Sequence, residues 1–164
     1  MFDIKDEKTV FTIGNFEMID EKVLCDLKSA KVFGERLIVG LLSDSCNLKL
    51  GSPSKVSDGR RAEALRNSGI VDSVVYVSFD DLVYMDYFLG LLKNNDVDVY
   101  MSTEETPLVV SSHSISEENI PRRIELVDGE NMQYIQKRTF ISELKDLKDE
   151  LLKKVNVDKY KRGR

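Results

Sequence analysis

Between Val10 and Leu27 the chain reads VFTIGNFEMIDEKVLCDL, and the polar residues of this stretch have the types and spacing that point to chemistry. A short apolar run, Val10–Ile13, stops at Gly14-Asn15, and Asp20 and Glu21 stand where an amphipathic segment begins. A strand, a glycine turn and a helix start in that order favour phosphate groups, because the first N–H groups of a helix are unpaired and its dipole attracts anions. Here the helix start carries carboxylates instead of cations or histidines. Asp20 at the N-cap and Glu21 in the first turn satisfy that end from within the chain. They also oppose a phosphate, since like charges ~4 Å apart cost about 4 kcal/mol at an effective dielectric of about 20. With Glu17 they offer an all-oxygen set for Mg²⁺; the simpler reading is a well-capped helix with solvated charges.

The elements that must position these residues follow in order. Helical spacing of Val23, Leu24, Leu27, Ala30 and Val32 predicts a helix from about Glu21, ended by Gly34. Arg36–Leu42 is nearly all apolar and reads as a central parallel strand, with Ser43-Asp44 at its ligand-binding end. Cys46–Ser57 reads as a mobile loop. Asp58–Ser68 reads as a helix with Ala62, Ala64 and Leu65 inward, Val71–Val77 as a strand, and the stretch from Ser78 to about Lys93 as one helix built on Leu82, Met85, Phe88, Leu91 and Leu92. Val97–Met101 is a fourth strand. Residues 103–120 form a polar excursion, Ile124–Val127 and Met132–Gln136 suit an added hairpin around Asp128-Gly129, and Ser142 caps a last helix to about Val155. This alternation predicts an α/β fold: a Rossmann-like, doubly wound, mostly parallel five-stranded sheet with an extra hairpin within 124–136.

The totals narrow the function classes. The 164 residues suit one domain, 1–155, followed by a basic tail, 156–164. No apolar run approaches the ~20 residues that cross a bilayer, and the N-terminus lacks a secretory pattern, so no membrane association and a cytoplasmic location are expected. The net charge is −5, while the last twelve residues alone carry +5. An acidic body of −10 is a poor nucleic-acid surface, which leaves only the basic tail for such a contact. Cys25 and Cys46 lack metal-ligand spacing and read as reduced, at least partly buried thiols. His113 is the single histidine.

Several segments, in this order and spacing, carry a family pattern. Gly14-Asn15-Phe16-Glu17 resembles a G-x-F-D turn, and Arg36–Asp44 a second strand ending in S-D. Arg61 falls where the family has an arginine after its mobile loop, and Val71–Val75 resembles V-D-E-V-V. Asp98 to Glu105 resembles D-V-x-V-x-G-D-D, with Thr103 for glycine and Glu104-Glu105 for the aspartates. Ile141-Ser142 resembles part of R-T-x-G-I-S-T-T, with Lys137 or Arg138 standing for its arginine. Over roughly residues 9 to 147 the chain thus resembles the cytidylyltransferase-like nucleotidyltransferase family, of the glycerol-3-phosphate cytidylyltransferase and heptose-phosphate adenylyltransferase type.

The resemblance implies a nucleotide held near Gly14, Asn15, Phe16, Arg61, Thr103, Glu104, Ile141 and Ser142, and phosphates met by Lys49, Lys55, Lys137 and Arg138. Phe16 also reads as a core residue. The family's catalytic H-x-G-H falls on Asp20-Glu21-Lys22-Val23, with both histidines and the glycine replaced. In the family those imidazoles hold the triphosphate and developing charge, and losing one such group costs about 10²–10³ in rate. The family's L-K-G lysine is displaced to Lys49-Leu50-Gly51, and its S-T-T becomes Ser142-Glu143-Leu144. The first expectation is therefore a degenerate relative, a nucleotide-binding or assembly protein taking CTP or ATP, and a homodimer as family members often are. The alternative is an active, Mg²⁺-dependent nucleotidyltransferase joining CTP or ATP to a phosphorylated small molecule with release of pyrophosphate. A third is an unrelated Rossmann-like protein with a ligand at the Ser43-Asp44 strand end.

Overall fold

A computed structural model describes residues 7–103, 124–128 and 133–138. Its elements run β1 (Thr9–Gly14), α1 (Glu21–Ala30), β2 (Arg36–Leu42), α2 (Asp44–Lys49), α3 (Asp58–Asn67), β3 (Ser73–Val77), α4 (Phe79–Val83), α5 (Met85–Asn94), β4 (Val99–Ser102), β5 (Ile124–Asp128) and β6 (Gln133–Arg138). The strands form one sheet in the order β3-β2-β1-β4-β5-β6. Five are parallel, and β6 runs antiparallel beside β5 at the edge. The expected hairpin is thus an extension of the main sheet.

The strand order explains the two cores. The chain moves outward from β1 to β3, then returns to the other side of β1 to place β4. Helices α1 and α3 cover one face, with Val23, Leu27, Ala30, Ala62 and Leu65 packed on Leu37, Val39 and Leu41, while Cys46 of α2 joins the other core. Helices of the return cover the other, with Leu82, Phe88, Leu89 and Leu92 packed on Phe11, Ile38 and Tyr100. Strand β2 is buried on both faces from Leu37 to Leu42, which is why it reads as an unbroken apolar run. Gly40 lies against Phe11 and Val77, whose side chains come within 2.7 and 2.9 Å of where a Cβ would stand.

Several local expectations need correction. Helix α1 ends at Ala30, Val32 is 73% exposed, and Leu24 is only partly buried. The segment read as a mobile loop begins with α2, because the Ser43 hydroxyl caps it by accepting from Cys46 N at 3.1 Å. In α3 Ala64 is exposed and Arg61 faces inward instead. The single helix expected from Ser78 to Lys93 is two, since Tyr84 is extended (φ −95°, ψ 120°) and separates α4 from α5. Cys25 is exposed, whereas Cys46 is buried. The excursion beyond Thr103 and the helix expected from Ser142 lie outside the described residues.

Strand β3 starts at Ser73, two residues later than its apolar pattern, because Asp72 has another task. Its carboxylate accepts from Leu37 N at 2.8 Å and from Lys31 Nζ at 2.6 Å, tying the start of β2 to the end of α1. Partial burial pushes the Asp72 carboxyl up, but the Lys31 and Leu37 hydrogen bonds outweigh it and leave the group below its ordinary value. A carboxyl lowered by folding adds stability above its unfolded pKa, about 3.9, and that contribution disappears as pH falls through the folded value. Urea unfolding from pH 7 to pH 3 is therefore expected to show a steeper acid loss of stability in the wild type than in Asp72→Asn.

Candidate functional site at the reversal of the sheet

The reversal of strand order between β1 and β4 opens a crevice at their carboxyl ends, where open α/β sheets bind ligands. Register pairs Val10 with Val99 and Phe11 with Tyr100; Gly14 ends β1, and Thr103 follows the end of β4. Gly14 and Thr103 are buried and Asn15 is partly exposed. Phe16 turns through a left-handed backbone conformation (φ 49°) that drives its ring into the core, where it is 1% exposed. Phe16 is thus a core residue and the anchor of the turn. Its burial throws the next side chain, Glu17, outward to solvent.

Arg61 is the largest fully buried side chain among the described residues. It donates from Nε to Val56 O at 2.9 Å, from one terminal nitrogen to Leu42 O at 2.8 Å and to both oxygens of Asn15 at 2.9 Å, and from the other to Asp44 Oδ1 at 2.8 Å. One guanidinium thereby joins the turn after β1, the end of β2, the start of α2 and the approach to α3. Asn47, also buried, donates to Asn15 Oδ1 at 2.7 Å. Asp44 and Asp58 close the arrangement, each accepting from the other's backbone N–H, at 3.0 and 2.9 Å. The arginine expected to meet nucleotide is thus turned onto protein acceptors. Asn47 and the Asp44–Asp58 exchange had no local signal, because their partners lie 32 and 14 residues away.

At the start of α1 the Asp20 carboxylate accepts from Val23 N at 2.9 Å, and Lys22 pairs with Asp26 at 3.1 Å. Val23 is buried against the α1 face of the sheet. The Glu17 carboxylate accepts from Ser54 Oγ at 2.7 Å and from Lys55 N. The Ser54 hydrogen bond first, then that of the Lys55 N–H, holds this carboxyl below its ordinary range. Glu17, Asp20 and Glu21 are therefore not gathered as a Mg²⁺ set, and no cluster of three metal-ligating side chains occurs among the described residues. Burial, with the Asp81 charge adding to it, pushes the Cys46 thiol up to about 11, so it stays protonated at neutral pH.

The expected phosphate contacts are dispersed. Lys49 lies over the Phe79 ring, 5.7 Å from its centroid, on the α4 side. Lys55 is exposed beside Glu17. Lys137 and Arg138 belong to β6, paired with Glu125 and Ile124 of β5. Glu104, Ile141 and Ser142 lie outside the described residues. Replacing Arg61 with Met leaves the buried Leu42 carbonyl and the part-buried carbonyls of Asn15 and Val56 short of a donor, which is expected to cost about 3 kcal/mol. Asp44→Asn removes a half-exposed partner and is expected to cost under about 1 kcal/mol. Urea midpoints at unchanged m-value compare the two.

Comparison with known proteins supports the fold. The chain is 33% identical over 135 residues to the bifunctional protein HldE of Campylobacter curvus, matching 81% of this chain and 27% of that protein. It is 35% identical over 127 residues to the bifunctional protein HldE of Campylobacter jejuni, matching 76% of this chain and 25% of that protein. The chain thus spans about a quarter of the length of these relatives. The crystal structure of the lipopolysaccharide core biosynthesis protein from Thermoplasma volcanium shares the fold, with a TM-score of 0.51 and 18% identity over 58% of this chain and 73% of that one. No family model matches.

Proposed function

We propose that this chain, a cytidylyltransferase-like nucleotidyltransferase homologue by sequence and fold, binds a nucleotide at the β1–β4 crevice and does not transfer it. One observation carries the reading. At the start of α1 an aspartate caps the helix, a lysine is paired within it, and the fourth position is a buried valine. Neither the aspartate nor the valine can stabilise charge building on an α-phosphate as an imidazolium does, and the Lys22 ammonium is engaged by Asp26. Removing one such group costs about 10²–10³ in rate, and here two histidines are absent. Asp20 and Glu21 add like-charge repulsion against a triphosphate. Gly14, Asn15 and Thr103 supply the edge against which a nucleoside would lie.

The reading extends to a cytoplasmic homodimer in which the basic segment 156–164 meets an acidic partner. No helix among the described residues is long and apolar enough to cross a membrane. A second reading, an active enzyme coupling CTP or ATP to a phosphorylated small molecule, draws on the relatives at 33 and 35% identity and on Lys55, exposed beside the turn after β1. Incubation with each nucleoside triphosphate, Mg²⁺ and a panel of sugar and alcohol phosphates separates the two. The expected outcome is a thermal shift with CTP or ATP and no pyrophosphate release. Release that requires both substrates would establish the enzyme instead.

A further inference from the structure

Glu17 is an exposed carboxylate held by donors that would suit any oxyanion. The Ser54 hydroxyl reaches it at 2.7 Å, the Lys55 N–H donates to it, and the Val56 N–H and the Lys55 ammonium favour its charge. A hydroxyl and a backbone N–H that converge on one carboxylate beside an ammonium are donors that another oxyanion can use, with the Val56 N–H held on Ser54 Oγ at 3.2 Å behind them. The chain's own carboxylate already occupies it.

The contact is also built to open. The Ser54 hydroxyl has one proton and two acceptors, Glu17 Oε2 at 2.7 Å and Val56 O at 2.8 Å. When Glu17 leaves, that proton keeps a partner, so release strands no buried polar group. The segment stays attached behind the contact, because Val56 O accepts from the buried Arg61 at 2.9 Å. On the other side, Phe16 is fixed in the core while Glu17 is exposed, so the Glu17 side chain can swing into water without moving the turn.

We propose that Ser54–Val56 is an oxyanion site that Glu17 fills in the resting protein, and that a phosphate or pyrophosphate group displaces the Glu17 carboxylate from it. This holds whether or not transfer chemistry is retained, since it needs only the arrival of an anion. The Glu17→Gln side chain keeps the shape, weakens the internal acceptor and removes one negative charge about 6 Å from the incoming anion once the side chain has swung aside. In water that change corresponds to about tenfold in affinity for a dianion.

The test follows the amide NMR signals of Ser54, Lys55 and Val56 in the full chain during titration with inorganic pyrophosphate and, separately, with CTP. Glu17→Gln is expected to bind about tenfold tighter than the wild type, with the largest shifts at these three amides. Glu17→Gln combined with Ser54→Ala is expected to lose most of that gain. A free-anion site responds to pyrophosphate at least as strongly as to CTP, and a site for a nucleotide's phosphates responds more strongly to CTP. Equal affinity of wild type and Glu17→Gln for both ligands, or shifts confined to other residues, would overturn the proposal.

Discussion

A guanidinium removed from water must give its N–H groups to the protein, and the protein must then hold every acceptor in place. Arg61 imposes this constraint at the carboxyl end of the sheet. Its acceptors come from three stretches of the chain: Asn15 after β1, Leu42 and Asp44 where β2 passes into α2, and Val56 before α3. The ends of β1 and β2 are already joined by the sheet and share an apolar core with Cys46 of α2, whereas Val56, before α3, is tied to them by Arg61. Its place at the crevice follows from satisfying one buried cation, and the Asn47 and Asp58 contacts reinforce the arrangement.

Sheet topology and site chemistry are consequently separable in this molecule. The parallel strands and the two helical layers are held by apolar packing on both faces. The turn geometry is held by Arg61 and by Phe16, whose left-handed backbone is tolerated because its ring is buried. The start of α1 depends on neither. It is a helix end satisfied by its own Asp20. Asp20, Glu21 and Lys22 are exposed, so they can change without disturbing the sheet or the arginine hub, whereas Val23 is packed in the core.

The layered fold was legible because its signals are local and repeated. Arg36–Leu42 reads as a doubly covered strand from composition alone, and the strand–helix alternation fixes the architecture. The starts of α1, α3 and α4 each follow a side-chain cap, at Asp20, Ser57 and Ser78. Where the reading failed, the deciding partner was distant or the pattern ambiguous. Arg61 looks like a ligand contact in sequence because its acceptors are backbone atoms of other segments. Tyr84 gives no warning that its backbone breaks a helical pattern that its neighbours continue. Asp72 delays β3 through a contact with Leu37, 35 residues away. The site itself was half legible: the carboxylates at Asp20 and Glu21 stand out, while the engagement of Glu17 by Ser54 crosses 37 residues.

The central claim is that carboxylates at the start of α1, not loss of the crevice, weaken this chain's hold on a triphosphate. Calorimetric titration of the wild type and of the double variant Asp20→Ser, Glu21→Gln with CTP and ATP tests it most directly. Serine keeps the helix cap while both charges are removed. The account predicts that the variant binds one of the two nucleotides at least about tenfold more tightly than the wild type. Unchanged affinity for both, in a variant of unaltered stability, would contradict it.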